Sequence, residues 1–152
     1  MAKEVPAKRI NLISLKIVKE GSLLYDIRRL STPMEAAGLG KLFLEDLDRE
    51  QVLVCCLDNK NQPVSISIVS TGTLNSSLIH PREVFKTAIL SNAASIILFH
   101  NHPSGDPDPS QEDINISKRL IEAGNIIGIE LLDHIVIGAD DSYCSLKDRN
   151  LI

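Results

Sequence analysis

The chain has no tryptophan, and aromatic residues make up only 3% of its 152 positions. Its core must therefore be filled by Leu, Ile, Val and Ala rather than by large rings. Cysteine is also scarce: Cys55, Cys56 and Cys144 are the only three. They lack the paired spacing of a disulfide framework and suit buried thiols in a reducing cytoplasm. Cys55 and Cys56 are adjacent in an apolar run, so a strand there sends them to opposite faces. No segment reaches the roughly 18 consecutive apolar residues of a membrane span. The opening Met1–Pro6 lacks the apolar stretch of a secretory signal, so the expected compartment is the cytoplasm. Without an export signal, the sequon Asn75-Ser76-Ser77 carries no weight. Basic charge is not in excess either: 16 Lys+Arg stand against 20 Asp+Glu, a net −4. A protein that works by clamping phosphates needs the opposite sign, so the charge balance argues against nucleic acid as a direct partner.

What remains is an ordinary globular composition, 43% hydrophobic and 24% charged, at a length suited to one domain with a sizeable core. The chain divides into an N-terminal extension, residues 1–30, and a domain, residues 31–152. The extension is polar to residue 9 and then reads as a strand from Ile10 to Val18. In the domain, Thr32 caps a helix with Pro33 at its first position, and Ala36, Leu39, Phe43 and Leu47 follow at helical spacing. Gly38 and Gly40 weaken that helix. Gln51–Leu57 is a nearly continuous apolar run, the pattern of a strand covered on both faces. Asp58–Asn61 supplies turn chemistry, and Val64–Val69 alternates as a hairpin partner. A helix is predicted over Pro81–Asn92, a buried strand over Ser95–Phe99, a helix over Ser110–Ala123 and a strand over Ile129–Ile137. The proline-rich stretch Asn101–Pro109 must be a loop. The order predicts a mixed α/β protein with a partly antiparallel sheet.

The chemistry gathers where an apolar strand runs into His100-Asn101-His102-Pro103. Residues i and i+2 of a strand share a face about 6.6 Å apart, at a rise of ~3.3 Å per residue. Two imidazoles that close can reach one metal ion. Asp113 opens the next helix, and a loop folding back brings its carboxylate to the same point. His100, His102 and Asp113 then make three protein ligands and leave a fourth tetrahedral position for water, as in a catalytic zinc site. Each part has a plainer account. His-x-His at a strand end is commonly two half-exposed histidines. Ser110 is a good helix cap, while Glu112 and Asp113 favour the positive end of the helix dipole. Pro103, Pro107 and Pro109 stiffen a connection. Their ordered conjunction is what points to a site.

That conjunction resembles a known family. His100-x-His102-Pro103 followed by Ser110-x-x-Asp113 is similar to the His-x-His-Pro…Ser-x-x-Asp core of the JAMM (MPN-plus, or JAB) metalloproteases. The fuller wording His100-Asn101-His102-Pro103-Ser104-Gly105-Asp106 resembles the bacterial RadC branch. Gly72-Thr73-Leu74-Asn75, His80-Pro81-Arg82-Glu83 and Asp133-His134-Ile135-Val136-Ile137-Gly138 support it, and the likeness runs over residues 30 to 150. It implies a single-domain, JAMM-type (cytidine-deaminase-like) mixed sheet flanked by helices. It further implies a hydrolase acting on peptide or isopeptide bonds of a peptide or protein substrate, with one Zn²⁺ per chain. Longer RadC proteins carry a further N-terminal helical region, for which the stretch before Thr32 is too short. The family's association with DNA repair is therefore a weak guide to this chain.

Within the resemblance, the general base is a Glu at the start of the strand after the first helix, the place that Glu50 occupies. Glu83 is the competing choice, although a helix start beside Arg82 gives it a routine structural use. The resemblance casts Ser110 as the donor to the developing oxyanion. His134, beside Asp133, is read as half of a hydrogen-bonded structural pair, with a supporting or substrate-facing role as the alternative. His80 has no claim of its own, and Gly72 and Gly105 are read as turn residues. Two other functions stand beside the peptidase: a nucleic-acid accessory factor without peptidase activity, and a catalytically silent interaction module.

Overall fold

The apolar run Gln51–Leu57 forms strand β1. Asp58 builds the turn after it by accepting from the backbone N–H groups of Lys60 and Gln62 at 2.8 and 2.9 Å. The chain returns antiparallel as β2, Pro63–Thr71, completing the expected hairpin. The structure is a computed structural model that describes residues 1–72 and 79–152. Thr73, Leu74 and the Asn75 sequon lie outside the described residues.

Strand β3, Ser95–Asn101, pairs antiparallel with the other side of β1. Strand β4, Glu130–Ile137, runs parallel to β3, and the short β5, Tyr143–Ser145, returns antiparallel to β4. The result is a mixed five-stranded sheet in the order β2-β1-β3-β4-β5. Helix α1, Pro33–Leu44, covers one face through Ala36, Leu39 and Leu44, packed on Leu53, Cys55, Phe99 and Ile135. Helices α2, Pro81–Leu90, and α3, Gln111–Ile127, cover the other face, over Val54, Cys56, Ile96 and Leu98. Cys55 and Cys56 thus divide between the two faces as their adjacency requires. Burial, with a smaller contribution from Cys56, pushes the Cys55 thiol up to about 12. No described helix is long and apolar enough to cross a membrane.

The helix ends follow local chemistry. Thr32 and Glu35 form a reciprocal capping box at the start of α1, with Pro33 in the first turn. That helix stops at Leu44 rather than Leu47, because Glu45 is extended and Asp46 takes a positive φ of 60°. Gly40 has a packing reason: a Cβ there would stand 2.5 Å from a ring carbon of buried Phe99. Helix α3 runs four residues past the expected Ala123 and ends at Gly128, which is left-handed with φ 85°.

Two elements depart from expectation. Residues 10–18 form neither strand nor helix, and Ile10, Leu12, Ile13, Leu15, Ile17 and Val18 are exposed. Their β propensity is real, but a strand needs a neighbour for its backbone groups, and among the described residues none pairs with it. Within the extension, Leu30 joins the apolar cluster under α1 and Tyr25 packs against it. Strand β5 went unforeseen because three residues are too few for an alternation to register.

Candidate metal centre

Alternation along β3 puts His100 on the same face as Ile96 and Leu98, towards α3. His102 lies just past the strand, but its N–H bonds Ile137 O at 3.1 Å and so prolongs the β3–β4 ladder. Asp113 is the third residue of α3 and shares a capping box with Ser110. The Ser110 hydroxyl accepts from the Asp113 N–H at 3.1 Å, and Asp113 Oδ2 accepts from the Ser110 N–H at 2.8 Å. The box turns the carboxylate back over the strand end. Asp113 Oδ1 then lies 3.4 Å from His100 Nε2, Oδ2 lies 3.4 Å from His102 Nε2, and the two imidazole Nε2 atoms are 2.9 Å apart.

Glu50 immediately precedes β1 and brings its Oε1 to 3.7 Å from His100 Nε2. Ligand atoms of Glu50, His100, His102 and Asp113 all lie within 4.8 Å of one another. Glu83 is elsewhere. It is exposed on α2 and pairs at 3.1 Å with Lys86 rather than with Arg82. His80 caps α2, its Nδ1 accepting from the Arg82 N–H at 3.3 Å. Gly72 and Gly105 both have positive φ, 89° and 88°, as turn glycines do.

The donor set suits zinc. Ligand atoms at about 2.0–2.1 Å from a tetrahedral Zn²⁺ stand roughly 3.3–3.4 Å apart. Each histidine stands at that spacing from one oxygen of the Asp113 carboxylate, His100 from Oδ1 and His102 from Oδ2, and the His–His pair needs to open by a few tenths of an ångström. His102 is already oriented for the task, since its Nδ1–H donates to Asp106 O at 2.8 Å and its Nε2 is directed at the cluster. Burial alone would raise the Asp113 carboxyl, but hydrogen bonds with His100 and His102 outweigh it and hold the group well below the usual carboxylate range. The bond to Asp113 likewise raises His102 against the effect of its burial.

Asn101 and Ser117 escaped the sequence reading as supporting groups, whereas His134 takes the supporting role that was its alternative there. Asn101 points to the face opposite the histidines. Its Oδ1 accepts from the Gln51 N–H at 2.8 Å and its Nδ2 donates to Arg49 O at 3.1 Å, so it holds the backbone on both sides of Glu50. The β1–β3 register that pairs Val52 with His100 was the signal for this, but it is not visible in the sequence. Behind His100 lies His134, with His100 Nδ1 2.7 Å from His134 Nε2, and behind His134 lies Ser117 of α3. His134 reaches this face through a slip in the β3–β4 pairing between Ile96 and Ile97, after which Leu98 lies beside His134. Burial pushes His134 well below the ordinary histidine value. Its carboxylate neighbour Asp133 accepts from the His134 backbone N–H at 2.8 Å, not from its ring, and also serves the C-terminal turn, accepting from Ser145 Oγ at 2.5 Å and from the Lys147 N–H at 3.1 Å. A cleft of about 310 Å³ opens beside His102 and Asn101, between Lys41 and Asp46 on one side and Gly138 and Asp140 on the other.

Residues 30–151 match the family model of the RadC-like JAB domain. Among curated relatives, a UPF0758 protein of Desulforamulus reducens is 58% identical over 120 residues, 79% of this chain and 52% of its own length. One from Moorella thermoacetica is 56% identical over 123 residues, 81% of this chain and 53% of its own. A third, from Syntrophomonas wolfei, is 49% identical over 155 aligned positions, all of this chain and 65% of its own. The chain therefore spans between half and two-thirds of these relatives' lengths, and their names state no activity. With a mixed sheet between helices, a His/His/Asp/Glu cluster at the ends of its inner strands and these matches over four-fifths of its length, the chain belongs to the RadC family of JAB-domain proteins.

Proposed function

We propose that the chain is a zinc-dependent hydrolase of peptide or isopeptide bonds, with His100, His102 and Asp113 as ligands of one Zn²⁺. The observation that carries this reading is the convergence of four ligand atoms, from three separate stretches of chain, within 4.8 Å. Zinc bound there supplies Lewis acidity towards an amide carbonyl and lowers the pKa of water to about 7.

Glu50 is the general base. Its carboxylate reaches the cluster without belonging to the His–His–Asp triangle, so it is placed to take a proton from water and return it to the leaving amine. It is only partly buried, which keeps it open to the substrate side. Ser110 is the oxyanion donor. Its oxygen accepts from the Asp113 N–H, which leaves the hydroxyl proton for a developing negative charge. The substrate is a peptide or protein whose chain crosses the exposed edge of the site near His102.

Metal analysis of the purified chain, combined with a peptide-library cleavage screen, tests the proposal with Glu50→Gln as the blank. One zinc per chain in both proteins, with cleavage lost only in Glu50→Gln, is the expected result. Loss of zinc in that variant would make Glu50 a ligand rather than a base. A chain that neither binds zinc nor cleaves would be an interaction module.

A further inference from the structure

His100 has two ring nitrogens, and zinc can be held only by the one that carries no proton. Its Nε2 faces the cluster, so its Nδ1 must keep the proton and needs an acceptor deep in the protein. The Nδ1 lies 2.7 Å from Nε2 of His134, whose own Nδ1 lies 2.5 Å from the Ser117 hydroxyl. That hydroxyl is in turn 2.8 Å from the backbone carbonyl of Asp113. His100, His134 and Ser117 are 1%, 1% and 0% exposed, so solvent does not compete for these bonds.

Proton order follows from the far end. A carbonyl only accepts, and two oxygens 2.8 Å apart with no proton between them repel, so the single Ser117 proton points at Asp113 O. Ser117 Oγ must then accept the Nδ1–H of His134. A neutral His134 with its proton on Nδ1 has an acceptor at Nε2, which takes the Nδ1–H of His100. Nε2 is thereby the nitrogen that His100 presents to the other ligands and offers to a metal.

We infer that Ser117 and His134 are positioning residues, a hydrogen-bond relay anchored on the Asp113 carbonyl that sets His100 in its metal-binding tautomer. The inference rests on the proposed metal reading. It adds that the ligand from α3 and the ligand from β3 are tied to each other through the core as well as across the site. Register makes this possible: the β3–β4 slip brings His134, and not Asp133, to the α3 face.

The tautomers are read directly by nitrogen-15 NMR of histidine-labelled, metal-free full chain at one neutral pH. His100 and His134 should both carry their proton on Nδ1. Ser117→Ala removes one oxygen, two rings away from the cluster, and takes the acceptor from His134 Nδ1–H. His134 should then move its proton to Nε2 and donate to His100, which shifts to the Nε2–H form. Zinc affinity, measured by competition with a chromophoric chelator, should fall about 10–100-fold, the usual cost of losing a partner to a ligating histidine. His134→Leu should lose at least as much, whereas His134→Gln, which restores an acceptor, should recover most of it. If His134→Leu fails to fold, Ser117→Ala alone decides. A wild-type His100 without a proton on Nδ1, or a Ser117→Ala chain with His100 tautomer and zinc affinity unchanged, overturns the relay. Tautomers as expected in a chain that takes up no zinc would keep the relay and overturn the metal reading instead.

Discussion

Asn101 holds Glu50 without touching its side chain, by bonding the N–H of the residue after it and the carbonyl of the residue before it. The middle residue of the His-Asn-His tripeptide therefore faces away from the two histidines and fixes the carboxylate that stands beside them. Asn101→Ala should leave zinc content intact and lower turnover at least tenfold, because the base is no longer held in place. It also leaves the Gln51 N–H without its partner, which should lower stability by about 1–3 kcal/mol. Metal analysis, turnover and thermal melting on one preparation separate these effects.

Glu83 offers the converse experiment. Exposed on α2 and paired with Lys86, it lies outside the cluster. Glu83→Gln should retain zinc and cleavage and shift stability by no more than the 0–1 kcal/mol of a surface pair. An activity loss as large as that of Glu50→Gln would move the base to α2.

The metal-free chain should show a distinctive dependence on pH. The hydrogen bond to Asp113 raises His102, so that contribution is complete below the unfolded histidine value of about 6.5 and is lost as pH rises through the raised folded value. For Asp113, burial pushes upward, yet its bonds to His100 and His102 prevail and depress it. Its contribution is present above about 3.9 and is lost as pH falls through the depressed folded value. The pair thus favours the folded state most between those two limits. Melting temperature of chelator-treated protein should decline as pH rises past the histidine range, and His102→Gln should flatten that decline.

Two neighbouring glycines of α1 should respond in opposite directions to alanine. At Gly38 the nearest atom to an added Cβ is the Tyr25 hydroxyl at 3.4 Å, the far end of a side chain that can give way. Gly38→Ala should stabilise by up to about 1 kcal/mol through helix propensity. At Gly40 the Phe99 ring stands at 2.5 Å in a packed core, and overpacking should cost about 1–3 kcal/mol. Denaturant midpoints of the two variants provide the comparison.

The sequence showed most plainly whatever depends on residues close together along the chain. Gln51–Leu57 and Ser95–Phe99 read as strands because buried strands leave continuous apolar runs, and the Thr32 and Ser110 caps are written in four-residue patterns. His100, His102 and Asp113 were legible as possible ligands from the strand end and helix start alone, whereas Glu50 was singled out only through the family likeness. The supports around them were not readable. Asn101 finds the backbone beside Glu50 through a β1–β3 register, and His134 reaches His100 through a one-residue slip. Pairing offsets of this kind leave no mark in local composition. The Ile10–Val18 strand failed for a related reason, since propensity describes a segment while pairing requires a second one.

The four acidic and imidazole groups arrive from the lead-in to β1, the end of β3 and the first turn of α3. An ion seated among them would act as a rivet through all three, joining the hairpin, the central strand and the covering helix at one end of the sheet. Loading and unloading would then be felt as a change in mechanical cohesion between layers that otherwise meet mainly through apolar side chains.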